Sequence, residues 1–150
     1  MNQPIPWDEL WINIAQEVRR RSKDPRTQVG CVLVSPDNRR LFVGYNGFAR
    51  KVLDLRERWN DRVMKHRMVV HAEQNALDNR NCDVGGWTCY VTMKPCEKCA
   101  SSLVNQGIKR IVYTEVHPDI DYDLADQILA EGGVEAVLHG KDTPNASSVS

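Results

Sequence analysis

Residues 71–114 read "HAEQNALDNRNCDVGGWTCYVTMKPCEKCASSLVNQGIKRIVYT", and the order of elements in this stretch decides the fold. "HAEQNALDNR" reads as a helix. "WTCYVTM" is rich in β-branched and aromatic residues and reads as a strand. "CEKCASSLVNQG" is a second helix, and Gly107 is a natural left-handed end for it. "KRIVYT" is the next strand. Further on, "DLADQILAEGG" is a helix closed by glycines and "VEAVL" is a last strand. Helix and strand therefore alternate from residue 71 onward. Such alternation implies parallel strands joined by right-handed crossovers, with helices packed on the sheet.

Toward the N-terminus, "PWDELWINIAQEVRRRS" spaces Trp7, Trp11, Ile14, Ala15 and Val18 as one face of a helix, with Pro6 suited to its start. "QVGCVLVSPDNRRLFVGY" is two β-rich runs around "PDN", a hairpin signal. The fold class is thus α/β with a mixed sheet. Asn46 to Arg67 is charged, rich in arginine and poorly periodic, and reads as a loop with one helical turn. Loops that long are usually functional or mobile. The chain of 150 residues is expected to form a single domain over residues 1–140, with a polar, disordered tail at 141–150.

Composition narrows the function classes. Apolar residues make up 41% and charged residues 27%, as in ordinary globular proteins. No apolar run is long enough to span a bilayer, so no membrane partner is expected. "MNQPIPWDEL" lacks an apolar core behind a basic start, so no secretory signal is expected. The formal net charge is zero. That argues against broad attraction to a polynucleotide, which needs a basic surface. Five cysteines, an odd number, favour a reducing cytoplasm with free thiols or thiolate ligands. Cys31 and Cys89 lie in apolar stretches and read as buried small hydrophobes.

Chemistry enters with "HAE" at 71–73 and "PCEKC" at 95–99. Cys96 and Cys99 are spaced i, i+3 at a helix start, so both thiols face one side, where the helix dipole favours thiolates. His71 opens another helix. One nitrogen and two sulfurs select zinc over magnesium or calcium. Three protein ligands leave a fourth position for water, as catalytic sites do. Zinc brings the pKa of such a water near 7, and Glu73 stands where a carboxylate could take its proton. Two rivals compete with this reading. A CxxC alone also fits a redox dithiol, which the upstream HxE disfavours. A closed structural zinc would need a fourth ligand, for which Cys82, His66 and His117 are available.

The combined HxE…PCxxC pattern resembles the zinc nucleobase deaminases. Four blocks make the resemblance closer: "RSKDPRTQVG" at 21–30, "GYNGF" at 44–48, "VVHAEQNAL" at 69–77 and "YVTMKPCEKCASSLVNQGIKRIVY" at 90–113. Over about residues 5–138 the chain resembles the cytidine deaminase superfamily, and within it the dCMP deaminase branch of phage and bacterial type. The resemblance implies a three-layer α/β/α fold with a five-stranded mixed sheet. It implies hydrolysis of dCMP to dUMP and ammonia by a homohexamer, activated by dCTP and inhibited by dTTP, with Mg2+ on the effector triphosphate.

Position by position, the resemblance makes His71, Cys96 and Cys99 the ligands of one zinc (Zn2+) per chain and Glu73 the proton shuttle. The backbone of Ala72 would meet the cytosine ring and Asn46 the deoxyribose. His117 and Tyr122 would supply an aromatic face for the base. Gly44, Tyr45, Asn46, Gly47 and Phe48 would form the effector site, two glycines allowing close backbone approach and positive φ. A nucleotide substrate also needs cations at the mouth of the pocket, for which Arg26, Lys65 and His66 are the candidates. The chain has "GFARK" where relatives often have "GFPRG", and no cysteine lies between Cys31 and Cys82, which argues against a second zinc.

Overall fold

The alternation of helix and strand closes into one sheet. The computed structural model describes residues 1–140, so the expected tail at 141–150 lies outside the described residues. In chain order the elements are α1 (Trp7–Val18), a 3-10 turn (Arg19–Arg21), β1 (Gly30–Val34), β2 (Leu41–Tyr45), α2 (Arg56–Asn60), α3 (Arg62–Met68), α4 (Ala72–Asp78), β3 (Thr88–Met93), α5 (Glu97–Asn105), β4 (Arg110–Glu115), α6 (Asp123–Glu131) and β5 (Glu135–Leu138). The five-stranded sheet has the order β2-β1-β3-β4-β5. β1 pairs antiparallel with β2 and with β3, while β3, β4 and β5 run parallel. The mixed sheet expected from a hairpin followed by βα units is therefore present.

Both faces of the sheet are covered, which makes the three layers. On one face Val32, Val34, Tyr90 and Val112 pack against Trp11, Ile12 and Ala15 of α1. On the other, Cys31, Leu33, Cys89, Val91 and Ile111 pack against α4, α5 and α6 through residues such as Leu77, Leu103 and Leu129. β1 is buried along its whole length, as a strand covered on two sides must be. The local signals also hold. Asn38 turns the hairpin at φ +60°, and Gly107 ends α5 at φ +81°.

Two features differ from expectation. The stretch from Asn46 to Arg67 is not a loop with one helical turn, because it holds both α2 and α3. These helices are too short to show periodicity and are held by tertiary contacts. Trp59 of α2 is buried and stacks on Phe48 with ring centroids 4.0 Å apart, and Asp61 caps α3 by accepting the Met64 N–H at 3.0 Å. Second, neither Gly44 nor Gly47 is among the positive-φ residues. Gly44 instead lets α4 press on β2, since a Cβ there would stand 2.3 Å from Ala76 N and 2.6 Å from Ala72 O. That contact seats the start of α4 over the sheet.

A buried polar cluster ties α1 to the sheet. Asp8, 1% exposed, accepts two bonds from Arg110 at 2.8 and 2.9 Å and one from the Tyr90 hydroxyl at 2.6 Å. Removing one partner of a buried pair strands the other charge. Asp8→Ala should therefore cost about 3–5 kcal/mol of stability, measured as a lower urea midpoint at constant zinc. A loss below about 1 kcal/mol would show that Arg110 finds other partners.

Candidate active site

Two helix starts meet at the C-terminal end of β3. His71 precedes α4 in extended conformation, and Cys96 does the same for α5. Paired bonds between Gly47 and Val70, at 3.1 and 2.8 Å, anchor the residue before His71. Buried Pro95 carries the chain out of β3 and into α5. His71 Nδ1 lies 3.3 Å from Cys99 Sγ and 3.6 Å from Cys96 Sγ. The three ligand atoms all lie within 4.8 Å of one another. Among the described residues no other His, Cys, Asp or Glu group gathers in this way. Cys82, His66 and His117 are not part of the cluster, so the donor set of one nitrogen and two sulfurs fits zinc with an open fourth position.

The electrostatics suit a metal and a proton carrier. A hydrogen bond from Cys99 holds Cys96 down at about 3, while the same contact and burial push Cys99 upward. The bond to Cys96 raises His71. Glu73, 4% exposed, sits beside them, and burial pushes its carboxyl up to about 7 against the opposing pull of His71. Cys31 and Cys89 stay outside the cluster as buried core thiols 3.5 Å apart, in agreement with the reading of them as small hydrophobes.

Above this floor opens a cleft of about 570 Å³, within the range of small-ligand sites. Arg26, Asn46, Lys65, His66, Ala72 and His117 line it, as a substrate role requires. Two of them are already engaged. Lys65 is 8% exposed, and its ammonium lies 2.8 Å from each Asp24 oxygen, so its charge is neutralised inside the wall. Asn46 donates to Thr27 O at 2.8 Å and Asp24 Oδ2 at 3.3 Å, and accepts the Val29 N–H at 2.8 Å. It braces the wall and keeps only a lone pair of Oδ1 for a ligand.

Tyr122 is displaced from the expected base-stacking position. It lies in the core, and its hydroxyl accepts the His117 N–H at 3.1 Å. Gly44, Tyr45, Gly47 and Phe48 are not on the cleft wall. Sequence reasoning missed Arg62, Lys94, Lys98 and Asp119, which do line it. Lys98 lies between the two candidate ligand cysteines, so its nearness to the site was readable, although Glu97 in the same interval does not line the cleft. Arg62 carried none without α3, which places it one turn from His66.

The family model described as the cytidine and deoxycytidylate deaminase zinc-binding region matches residues 5–115. The chain belongs to this deaminase family. A Caenorhabditis elegans protein named probable deoxycytidylate deaminase is 41% identical over 132 residues, 85% of this chain and 67% of that one. Human deoxycytidylate deaminase is 34% identical over 152 residues, 97% of this chain and 84% of that one. The cyanophage S-TIM5 dCMP deaminase, solved with dCMP and dUMP, superposes with a TM-score of 0.73 at 24% identity, covering 87% of this chain and 94% of that one. That likeness shows the shared fold. As a member of the deaminase family the chain is an enzyme, and the family's zinc-binding region together with the His–Cys–Cys cluster supports Zn2+. Among the described residues no helix is long and apolar enough to cross a membrane.

Replacing Cys99 by Ala should take zinc content from about one per chain to near zero by elemental analysis, since two protein donors do not make a zinc site. Zinc retained at full stoichiometry would mean that another side chain completes the cage.

Proposed function

We propose that the chain hydrolyses dCMP to dUMP and ammonia, with His71, Cys96 and Cys99 holding one zinc ion and Glu73 moving the protons. The observation that carries this reading is a buried carboxyl beside a His–Cys–Cys cluster on a cleft floor. The names of the relatives support dCMP as the substrate. Zinc in the cluster supplies a Lewis acid that brings the pKa of water near 7.

The remaining chemistry belongs to the chain's own groups. Glu73, poised at about 7, can accept and release a proton near neutral pH. It takes one from the attacking water and gives it to the cytosine ring nitrogen as C4 becomes tetrahedral. A second transfer protonates the amino group, which leaves as ammonia. Burial keeps bulk water from competing for these protons. The backbone of Ala72, on the cleft wall, orients the ring, and Asn46 Oδ1 faces the sugar.

Phosphate recognition falls to the exposed rim side chains Arg26, Arg62, His66 and Lys98, because Lys65 is paired with Asp24. Hydrogen bonds to charged groups are worth about 1.5–3 kcal/mol each, so two of them favour dCMP over deoxycytidine by roughly 10²–10⁴ in kcat/KM. The reading extends to regulation and place. The "GYNGF" segment at 44–48 takes dCTP as activator and dTTP as inhibitor, with Mg2+ on the triphosphate, in a homohexamer. The free cysteines suit the cytoplasm.

Ammonia release from dCMP, dCTP and deoxycytidine tests the substrate. Glu73→Gln should lower kcat on dCMP by about 10²–10⁴ with zinc retained. Undiminished turnover in that variant would remove Glu73 from the chemistry. The double variant Arg62→Met/Lys98→Met should narrow the dCMP-to-deoxycytidine ratio in kcat/KM by about ten-fold or more. An unchanged ratio would place the phosphate elsewhere.

A further inference from the structure

Lys94 stands between the end of β3 and Pro95, and none of the roles above uses it. It lines the cleft, yet its side chain is only 13% exposed. Its ammonium lies 2.8 Å from Asp126 Oδ1 on α6. It also sits over the Tyr122 ring, 4.8 Å from the centroid, and 5.6 Å from that of Tyr113. Both distances fall within the range of cation–π attraction. The Lys94 backbone N–H donates to Glu115 O at 2.8 Å. One residue thus bonds the turn that carries Cys96 to the end of β4 and to α6.

Tyr122 passes this linkage to the cleft wall. Its hydroxyl accepts the His117 N–H at 3.1 Å, and His117 Nδ1 accepts the Asp119 N–H at 3.1 Å. The Ile120 N–H donates back to His117 O at 3.4 Å. His117, Asp119 and Ile120 all line the cleft. This stretch belongs to no strand or helix, so these few bonds set its shape.

We propose that Lys94 is a positioning residue that fixes the 117–120 wall relative to the Cys96–Cys99 turn, and so determines how firmly the nucleotide is held. The ammonium is occupied by Asp126 and the two rings, so it acts through the wall and not as a metal ligand. The inference rests on the dCMP reading for its kinetic arm alone.

The test uses the zinc-loaded full chain, with Lys94→Met, Lys94→Arg and Asp126→Asn beside the wild type. In Lys94→Met, KM for dCMP should rise about ten-fold while kcat stays within about three-fold and zinc content is unchanged. Amide hydrogen exchange over residues 116–122 should quicken, because the Tyr122 ring, whose hydroxyl accepts the His117 N–H, loses the cation seated over it. Lys94→Arg keeps a cation over Tyr122 and should recover most of the loss. Asp126→Asn should shift KM and exchange in the same direction but less, since the rings still hold the ammonium.

An unchanged KM with a lowered melting temperature in Lys94→Met would overturn the proposal, leaving Lys94 a packing residue. So would a fall in kcat alone, or an Arg variant no better than Met. Should Lys94→Met fail to fold, Asp126→Asn, altered at a side chain 56% exposed, decides by the same directions. Absence of dCMP turnover in the wild type would defeat the substrate reading instead. Hydrogen exchange over 116–122 would then decide alone, and unchanged exchange would overturn the role of Lys94.

Discussion

The site depends on one constraint, the meeting of two helix starts at the C-terminal end of β3. A ring nitrogen and two sulfurs held within 4.8 Å of one another gain little until a cation arrives, and must be kept there by the rest of the chain. The sheet does this with rigid elements. α5 follows β3 directly through Pro95, so the cysteines inherit the strand's position. α4 is seated by the absence of a side chain at Gly44 and by the Gly47–Val70 pair. Both helices present their positive ends to the same point, which favours thiolate at Cys96 and a bound anion or hydroxide nearby.

Among the described residues, acidic and basic side chains are buried in three places, with different consequences. Asp8–Arg110 and Asp24–Lys65 are closed ion pairs, and closed pairs of this kind fix geometry more than they add stability. Asp24 also accepts the Arg26 and Thr27 N–H groups, so its pair with Lys65 shapes the turn that forms one side of the cleft. Among the described residues no lysine or arginine forms an ion pair with Glu73. Its burial raises its proton affinity into the neutral range, which suits a carrier and would be a defect in a structural residue. The distinction between Lys65 and the exposed rim cations follows from the same logic, since a charge already neutralised offers a phosphate little.

What was legible in the sequence was local. Helix–strand alternation from His71, the left-handed end at Gly107 and the spacing of Cys96 with Cys99 are each decided within a few residues, and each holds in the structure. What was not legible is set by partners far along the chain. α2 and α3 owe their existence to Phe48 under Trp59 and to the Asp61 cap. Lys65 was read as a cation at the mouth of the pocket, but Asp24, 41 residues earlier, encloses it. The resemblance made Tyr122 a base-stacking residue, but its hydroxyl accepts the His117 N–H and its ring lies under Lys94. Gly44 was read for the close approach of a ligand, and the close approach that the structure records there is that of α4, a partner 28 residues or more along the chain.

X-ray absorption at the zinc edge of the metal-loaded chain addresses the coordination on which all of this rests. The expected spectrum contains two sulfurs at about 2.3 Å, one imidazole nitrogen at about 2.0–2.1 Å and one further oxygen from solvent. A third sulfur, or a second imidazole in place of that oxygen, would make the site closed and structural, and would contradict the assignment of this cleft to catalysis.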